Sequence, residues 1–140
     1  MYNEAPKKAL TGRRRRRGVA ATEFAVCLPI IVLLVIGTIE ACSMIFLKQT
    51  LAIAAYEGAR TAIIPGVTKT QVEAACNQIL TDRKVKGATV TVKPTDIVAL
   101  NPGDFVDVTV SAPCSSNSIV PTKFYKGRNL SSTASMMIEF

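Results

Sequence analysis

The chain of 140 residues contains no histidine. Histidine is the usual general base near neutral pH and the commonest protein ligand for metal ions, so its absence counts against enzymes and against histidine-containing metal centres. No internal repeat is visible either. The sequence therefore favours a structural or interaction protein that has no cofactor, no bound metal and no catalytic residues.

Charged residues are missing from the 16 positions between Phe24 and Ile39. A helix of that length spans about 24 Å, which is short of the roughly 30 Å hydrocarbon layer of a bilayer. A membrane span must therefore also use residues before Phe24 or after Glu40. We predict a transmembrane helix over residues 19–47, with Glu40 near the headgroups on the far side.

The formal net charge of +7 is concentrated at the N-terminus. Residues 1–18 contain seven basic residues against one acidic residue, Glu4, a net charge of +6. Arg13–Arg17 directly precede the apolar run, and a basic block in that place is typical of a cytoplasmic flank. We predict that residues 1–18 are a cytoplasmic leader and that everything after Leu47 is exported. A tail that binds nucleic acid is an alternative, and it predicts a strongly salt-dependent affinity in residues 7–17.

The helical pattern continues beyond the predicted span. Small and apolar residues recur at intervals of four and three, which predicts one packing face. They are Leu47, Leu51, Ala55, Gly58 and Ala62. Pro65-Gly66 ends the pattern, so residues 48–66 are predicted to be an exported extension of the helix.

Residues 67–140 are predicted to form a small αβ head. Thr70 to Glu73 resembles a capping box that opens a second helix, which ends near Arg83 and buries Val72, Cys76, Ile79 and Leu80. Alternating residues predict antiparallel strands at Ala88–Lys93, around Val106–Val110 and at Ser132–Phe140, with a turn at Asn101–Asp104 and a long loop over Ser115–Arg128. The predicted fold class is α+β.

Glu23 is a lone carboxylate at the start of the apolar run. A carboxylate inside a bilayer costs about 2.5 to 3.5 kcal/mol, so it normally persists there only with compensation. A peptidase that cuts after Gly18 would leave Val19 with a cationic α-amine, and the Glu23 of a neighbouring subunit could pair with that amine inside lipid. In the alternative interpretation, Glu23 lies at the interface of an ordinary anchor and its side chain reaches water.

Two further groups of residues carry predictions. Glu57 and Arg60 are one turn apart and can form an exposed ion pair. Alternatively, Arg60 contacts the head or a partner. Gly58, which lies between them, suggests close packing of the helix. Cys76 and Cys114 lie in the exported part, where oxidation is permitted, and we predict a disulfide between them. Cys27 and Cys42 are expected to be free thiols in or beside the membrane.

Several segments resemble the TadE-like minor pseudopilins of tight adherence (Tad/Flp) pilus systems, and the first of them resembles a type IV prepilin leader. These segments are Arg17–Ala25, Leu28-Pro29-Ile30, Gly37–Glu40, Glu57–Arg60 and Ser132–Met137. Tyr56, where the family often has a basic residue, and Cys42, where it has a glycine or an aliphatic residue, depart from the pattern.

The resemblance implies a pilin-like protein with a long N-terminal helix and a small αβ head. It implies cleavage after Gly18 by a prepilin peptidase, and it implies pilins or pseudopilins and a membrane assembly platform as partners. We expect a single-pass protein of the inner membrane, with its N-terminus in the cytoplasm and its head outside, which takes part in pilus assembly or secretion. The alternative is an unprocessed anchor whose head binds something at the cell surface.

Overall fold

The computed structural model describes residues 12–121 and 124–139, with side chains from Gly18 onward. It contains three helices and three strands within these ranges. They are α1 Gly12–Ala62, α2 Lys69–Asp82, β1 Thr89–Lys93, β2 Phe105–Pro113, α3 Cys114–Asn117 and β3 Asn129–Met137. The predicted α+β class, with a long N-terminal helix, a short second helix and an antiparallel sheet, is confirmed. Residues 1–11 of the predicted leader lie outside the described ranges.

The structure divides into two compact units, and the boundary lies between Ile36 and Gly37. The described part of the first unit is the N-terminal portion of α1, and every side chain from Gly18 to Ile36 is exposed. This portion is apolar enough and long enough to cross a membrane. An apolar surface on all sides of a helix needs lipid or other helices around it. One such helix is what a single-pass membrane protein requires.

The second unit contains the rest of α1 together with the head elements. The predicted packing face of α1 is confirmed, since Leu47, Leu51, Ala55, Gly58 and Ala62 are all buried. The buried face also reaches back to Glu40 and includes Met44. The head elements therefore pack on the part of α1 from Gly37 onward, which includes the predicted extension at residues 48–66.

The sheet has the order β1-β2-β3 and is antiparallel throughout. Val108 in the central strand pairs with Val92 of β1 and with Ala134 of β3. Alternate β2 residues are buried, as the pattern predicted, and they supply one face of the core. The predicted turn before β2 is present, because Asp104 N–H donates to Asn101 O at 3.0 Å and Gly103 has a φ of 97°.

The start of α2 differs from the prediction by two residues. Thr68 is the N-cap, and Gln71 Oε1 accepts from the Thr68 backbone N–H at 2.8 Å and from the Thr68 hydroxyl at 3.2 Å. Thr70 lies within the helix, and Glu73 pairs with Lys69 at 3.7 Å. Two overlapping Thr-x-x-acid/amide patterns compete here, and the one that starts earlier forms the cap.

Candidate functional site

Glu23 lies on an exposed side of α1 that it shares with Val19, Thr22, Val26 and Cys27. Within the described part of the chain, its carboxylate has no hydrogen-bond or ion-pair partner. Glu23 is thus the one charged residue between Val19 and Ile36, where Thr22 is the other polar residue. Such a group needs a partner from outside the chain if lipid surrounds it.

Gly18 and Val19 are both exposed residues of α1. The space around Gly18 is open, and its carbonyl accepts the Thr22 hydroxyl at 2.8 Å. A chain that began at Val19 would have no acceptors for the first N–H groups of α1, and the helix dipole would add a partial positive charge there. Glu23 would then lie one turn from both this positive end and the α-amine.

Glu40 is fully buried, unlike Glu23. Its Oε1 accepts the backbone N–H groups of Phe124 at 3.1 Å and of Tyr125 at 3.0 Å, and its Oε2 lies 3.3 Å from the Phe124 nitrogen. Hydrogen bonds to an ionised acceptor are among the stronger ones, and they offset part of the cost of burying the charge. Glu40 therefore fastens the segment before β3 to α1.

Our sequence interpretation placed Glu40 at the headgroups and missed this contact. The donors are 84 and 85 residues away. They lie in a segment without apolar periodicity, so no local pattern connects them with the acid. The sequence did contain one indication that Glu40 is buried. Glu40 precedes Leu47 by two helical turns, so its carboxylate lies on the same face as the predicted packing residues.

The Glu40 contact belongs to a larger packing of the same segment. A Cβ at Gly37 would lie 3.5 Å from the ring atom Cε2 of Phe124, so the phenyl ring rests on the glycine. Arg128 N–H donates to Tyr125 O at 3.2 Å, and Arg128 O accepts the Cys114 N–H at 2.9 Å. These bonds connect the start of α1 in the head with the end of β2.

Gly58 is a point of close approach between α1, α2 and β2. A Cβ there would lie 2.3 Å from Cys76 Sγ and 3.0 Å from Val108 Cγ1, both shorter than normal contact. The Cys76 thiol donates to Ala54 O at 3.3 Å. Without a side chain at position 58, the second helix and the central strand can pack directly on the α1 backbone.

Glu57 and Arg60 form an exposed pair, with 3.7 Å between Oε2 and Nη1. The Arg60 side chain is 67% exposed. It therefore points to solvent and does not contact the head. The other predicted contact of Arg60, with an external partner, stays a prediction.

The predicted disulfide between Cys76 and Cys114 must be corrected, because both residues are buried free thiols. Cys76 and Val108 flank the same glycine. Cys114 lies six residues after Val108. Most of these residues are in the extended strand β2, so the two residues are about 20 Å apart along it. A disulfide needs Cα atoms within about 7 Å of each other. The entropic benefit of closing the loop is irrelevant when the register holds the two residues apart.

Burial raises the pKa of the Cys76 thiol to about 11. It raises the pKa of Cys114 as well, where the positive charge of Arg128 acts in the opposite direction. Both thiols are therefore protonated at neutral pH and are poor nucleophiles. Cys27 and Cys42 are exposed free thiols. Within the described residues, no group of three or more acidic, cysteine or histidine side chains is arranged to hold a metal ion.

Residues 18–60 match the sequence model of a family described as TadE-like protein. Searches among curated proteins and among solved structures gave no match. The matched range starts at Gly18 and ends at Arg60, so it includes Glu23, Glu40 and Gly58 and stops before α2 and the sheet. The resemblance inferred from the sequence is thereby confirmed for residues 18–60, which are similar to TadE-like proteins.

Proposed function

We propose that this chain is a minor pseudopilin-like membrane protein that takes part in assembling a Tad/Flp-type pilus or a related secretion apparatus. The TadE-like segment supports involvement in a Tad pilus system, and the exposed apolar part of α1 supports a single membrane span. The observation that carries the proposal is Glu23, a carboxylate without a partner in the described chain, five residues after Gly18.

In this proposal a prepilin peptidase cuts after Gly18 at the cytoplasmic face. The new α-amine of Val19 has a reference pKa of about 7.7 to 8.0 and is mostly cationic at neutral pH. Glu23 of one subunit pairs with Val19 of its neighbour, and the low dielectric of the lipid strengthens the attraction. Because the two residues are four positions apart, the neighbouring helices would be offset by about 6 Å along their axes. The ion pair thus sets the register between subunits.

The burial of Glu40 and Met44 in the head supports an outer end of the proposed span near Ile39. Val19–Ile39 remains, and its 21 residues span about 31 Å, enough for the hydrocarbon layer. The basic leader then stays on the cytoplasmic side of the inner membrane. The head lies on the other side, where pilins, other pseudopilins and the assembly platform can contact it.

The substitution Glu23→Gln tests the proposal, because it keeps the shape of the side chain and removes its charge. We expect loss of surface pili, and co-purification of partner pilins reduced by at least about tenfold, the factor that corresponds to 1.4 kcal/mol. Glu73→Gln, which neutralises a partly exposed carboxylate of α2 outside the span, should leave both readouts unchanged. Normal pili in the Glu23→Gln strain, at normal membrane levels of the protein, would overturn the proposal.

A further inference from the structure

The side of α1 that faces away from the head carries a repeat of its own. Seven exposed residues of the second unit follow one another there at alternating intervals of three and four positions. We call this set the outer stripe, and it consists of Ile39, Cys42, Phe46, Gln49, Ile53, Tyr56 and Arg60. All of its members except Gln49 and Arg60 are apolar or aromatic, so the stripe is an apolar face that the described head leaves uncovered.

The spacing of the outer stripe differs from the spacing of the face that packs in the head. The buried, head-facing residues of α1 are Glu40, Met44, Leu47, Leu51, Ala55, Gly58 and Ala62. They advance 22 residues in six steps, close to the roughly 3.6 residues per turn of a straight α-helix. The outer stripe advances 21 residues in six steps, which is one step per 3.5 residues. A repeat of 3.5 residues is typical of a helix that winds around a second helix.

The outer stripe lies on the side of α1 opposite to the head. Ile53 follows Leu51 by two positions, which is about 200° around the helix. Leu51 is fully buried, whereas Ile53 is 43% exposed. The second helix and the central strand approach α1 at Gly58, on the buried face. Another helix can therefore lie along the stripe without displacing any element of the head.

The apolar area of the stripe suits two copies that a membrane already holds together. Phe46 is 68% exposed and Tyr56 is 56% exposed. Since an aromatic side chain buries about 150 to 250 Å², covering these two rings removes on the order of 250 Å² from each copy, about a third of the 800 Å² per partner of a standard interface. Ile39, Ile45 and Ile53 add to this exposed apolar area. An interface of this size depends on confinement in one bilayer.

The two polar residues of the stripe fit a second copy of the same chain. The amide of Gln49 has donors and an acceptor, so two such amides can hydrogen-bond to each other across a seam. Arg60 is at the end of the stripe, where a parallel pair would place it beside the ring of Tyr56 on the other copy. Glu57 lies 3.7 Å from Arg60 within the same chain and supplies an opposite charge. Neither polar residue therefore opposes pairing.

We propose that the outer stripe pairs with the same stripe of a second copy of this chain, as a parallel two-helix coiled coil. This inference rests on the proposed membrane span, because two copies that cross one membrane in the same direction can pair only in parallel. Pairing in register places Cys42 opposite Cys42 and Gln49 opposite Gln49. The proposed Glu23 contact needs an axial offset of about 6 Å and therefore involves a different neighbour.

Cysteine cross-linking tests the pairing directly. The full-length protein carries Cys27→Ser, which leaves Cys42 as the one exposed thiol among the described residues, because the two cysteines of the head are buried. It is reconstituted at low density in phosphatidylcholine and phosphatidylglycerol vesicles and oxidised with copper–phenanthroline. In two further variants Cys42 is replaced by serine, and the exposed thiol is moved to Gln49→Cys or to Ala52→Cys. Ala52 is the matched control, since it is also exposed but lies about 60° away from Gln49 around the helix.

We expect Cys42 and Gln49→Cys to give several-fold more covalent dimer than Ala52→Cys, because only seam positions bring two thiols within disulfide distance. Phe46→Glu should lower the yield at Cys42 several-fold, since it places a carboxylate in the seam. Glu23→Gln should leave the yield unchanged, because the pairing does not use that carboxylate.

The outcomes separate the pairing from the proposed function. Equal yields at all three thiol positions would indicate random collision and would overturn the pairing, as would the absence of covalent dimer. Either result, in protein that floats with the vesicles, leaves the membrane span and the role of Glu23 untouched. Protein that does not float with the vesicles would overturn the span and the pairing together.

Discussion

Glu23 and Glu40 bracket the uncharged part of α1, and they have opposite environments. Glu23 is exposed and has no partner within the described residues, whereas Glu40 is buried and accepts two backbone N–H groups. A buried carboxylate with good donors is an internal fastening. An exposed one in an apolar helix is available for another molecule. This difference supports the proposed assembly role of Glu23 and gives Glu40 a role in the structure of the head.

Gly58 provides a second test at the residue scale. We expect Gly58→Ala to destabilise the protein by about 1 to 3 kcal/mol, because the added methyl group would clash with Cys76 Sγ and Val108 Cγ1. This cost should outweigh the roughly 1 kcal/mol that alanine gains over glycine in helix propensity. Thermal unfolding of the full-length protein, followed by circular dichroism, measures the change.

Gly37→Ala is the matched control for this prediction. A Cβ at Gly37 makes an ordinary contact of 3.5 Å with Phe124. The helix propensity of alanine should then dominate and leave stability equal or higher. Equal effects of the two substitutions would show that close packing at Gly58 is not the reason for its glycine.

At the scale of elements, the Glu40 carboxylate hydrogen-bonds α1 to the segment that contains Phe124 and Tyr125. Glu40→Gln keeps the volume but replaces one acceptor oxygen by an N–H donor that would face donors. We expect a loss of about 1.5 to 3 kcal/mol, the usual range for hydrogen bonds to charged groups. Hydrogen exchange should also become faster at the amides of Phe124 and Tyr125.

Glu57→Gln serves as the control for the Glu40 experiment, since it changes a partly exposed carboxylate on the same helix. Its effect should stay within about 0.5 kcal/mol, as is usual for surface positions. Unchanged exchange at the two amides in Glu40→Gln would contradict the fastening role of Glu40.

The start of α2 offers a test between two neighbouring capping patterns. Gln71→Ala removes the oxygen that accepts from Thr68 and should cost about 0.5 to 1 kcal/mol. Thr70→Ala, at the residue that the sequence pattern favoured as the cap, should leave stability equal or slightly higher because alanine is the better helix former. The reverse order of effects, measured by denaturant unfolding, would place the cap at Thr70.

The elements that the sequence predicted correctly are those with a strong local period. The α1 face and the β2 alternation each follow from the spacing of apolar residues. The turn at Asn101–Asp104 follows from its residue types. The Glu40 contact and the α2 cap could not be predicted in the same way, because one depends on a partner 84 residues away and the other on a choice between two overlapping motifs.

At the scale of the whole molecule, α1 belongs to two different environments. From Gly18 to Ile36 its residues are exposed and, apart from Thr22 and Glu23, apolar. From Gly37 onward it is the central helix of the head. Composition predicted the apolar run but not this division, since Ala41–Leu47 is as apolar as the span itself. The prediction of a disulfide between Cys76 and Cys114 was wrong at the same scale, because the length of a loop does not determine where the strand register places its two ends.

In the proposed function the mature protein begins at Val19 and presents an α-amine to Glu23 of a neighbour. The most direct test is the intact mass of the protein purified from the membranes of its native host. The mass should correspond to a chain that lacks residues 1–18, and it should return to the full-length value in a strain without the prepilin peptidase. A full-length mass in the wild-type strain would contradict the account and leave the chain as an unprocessed membrane anchor.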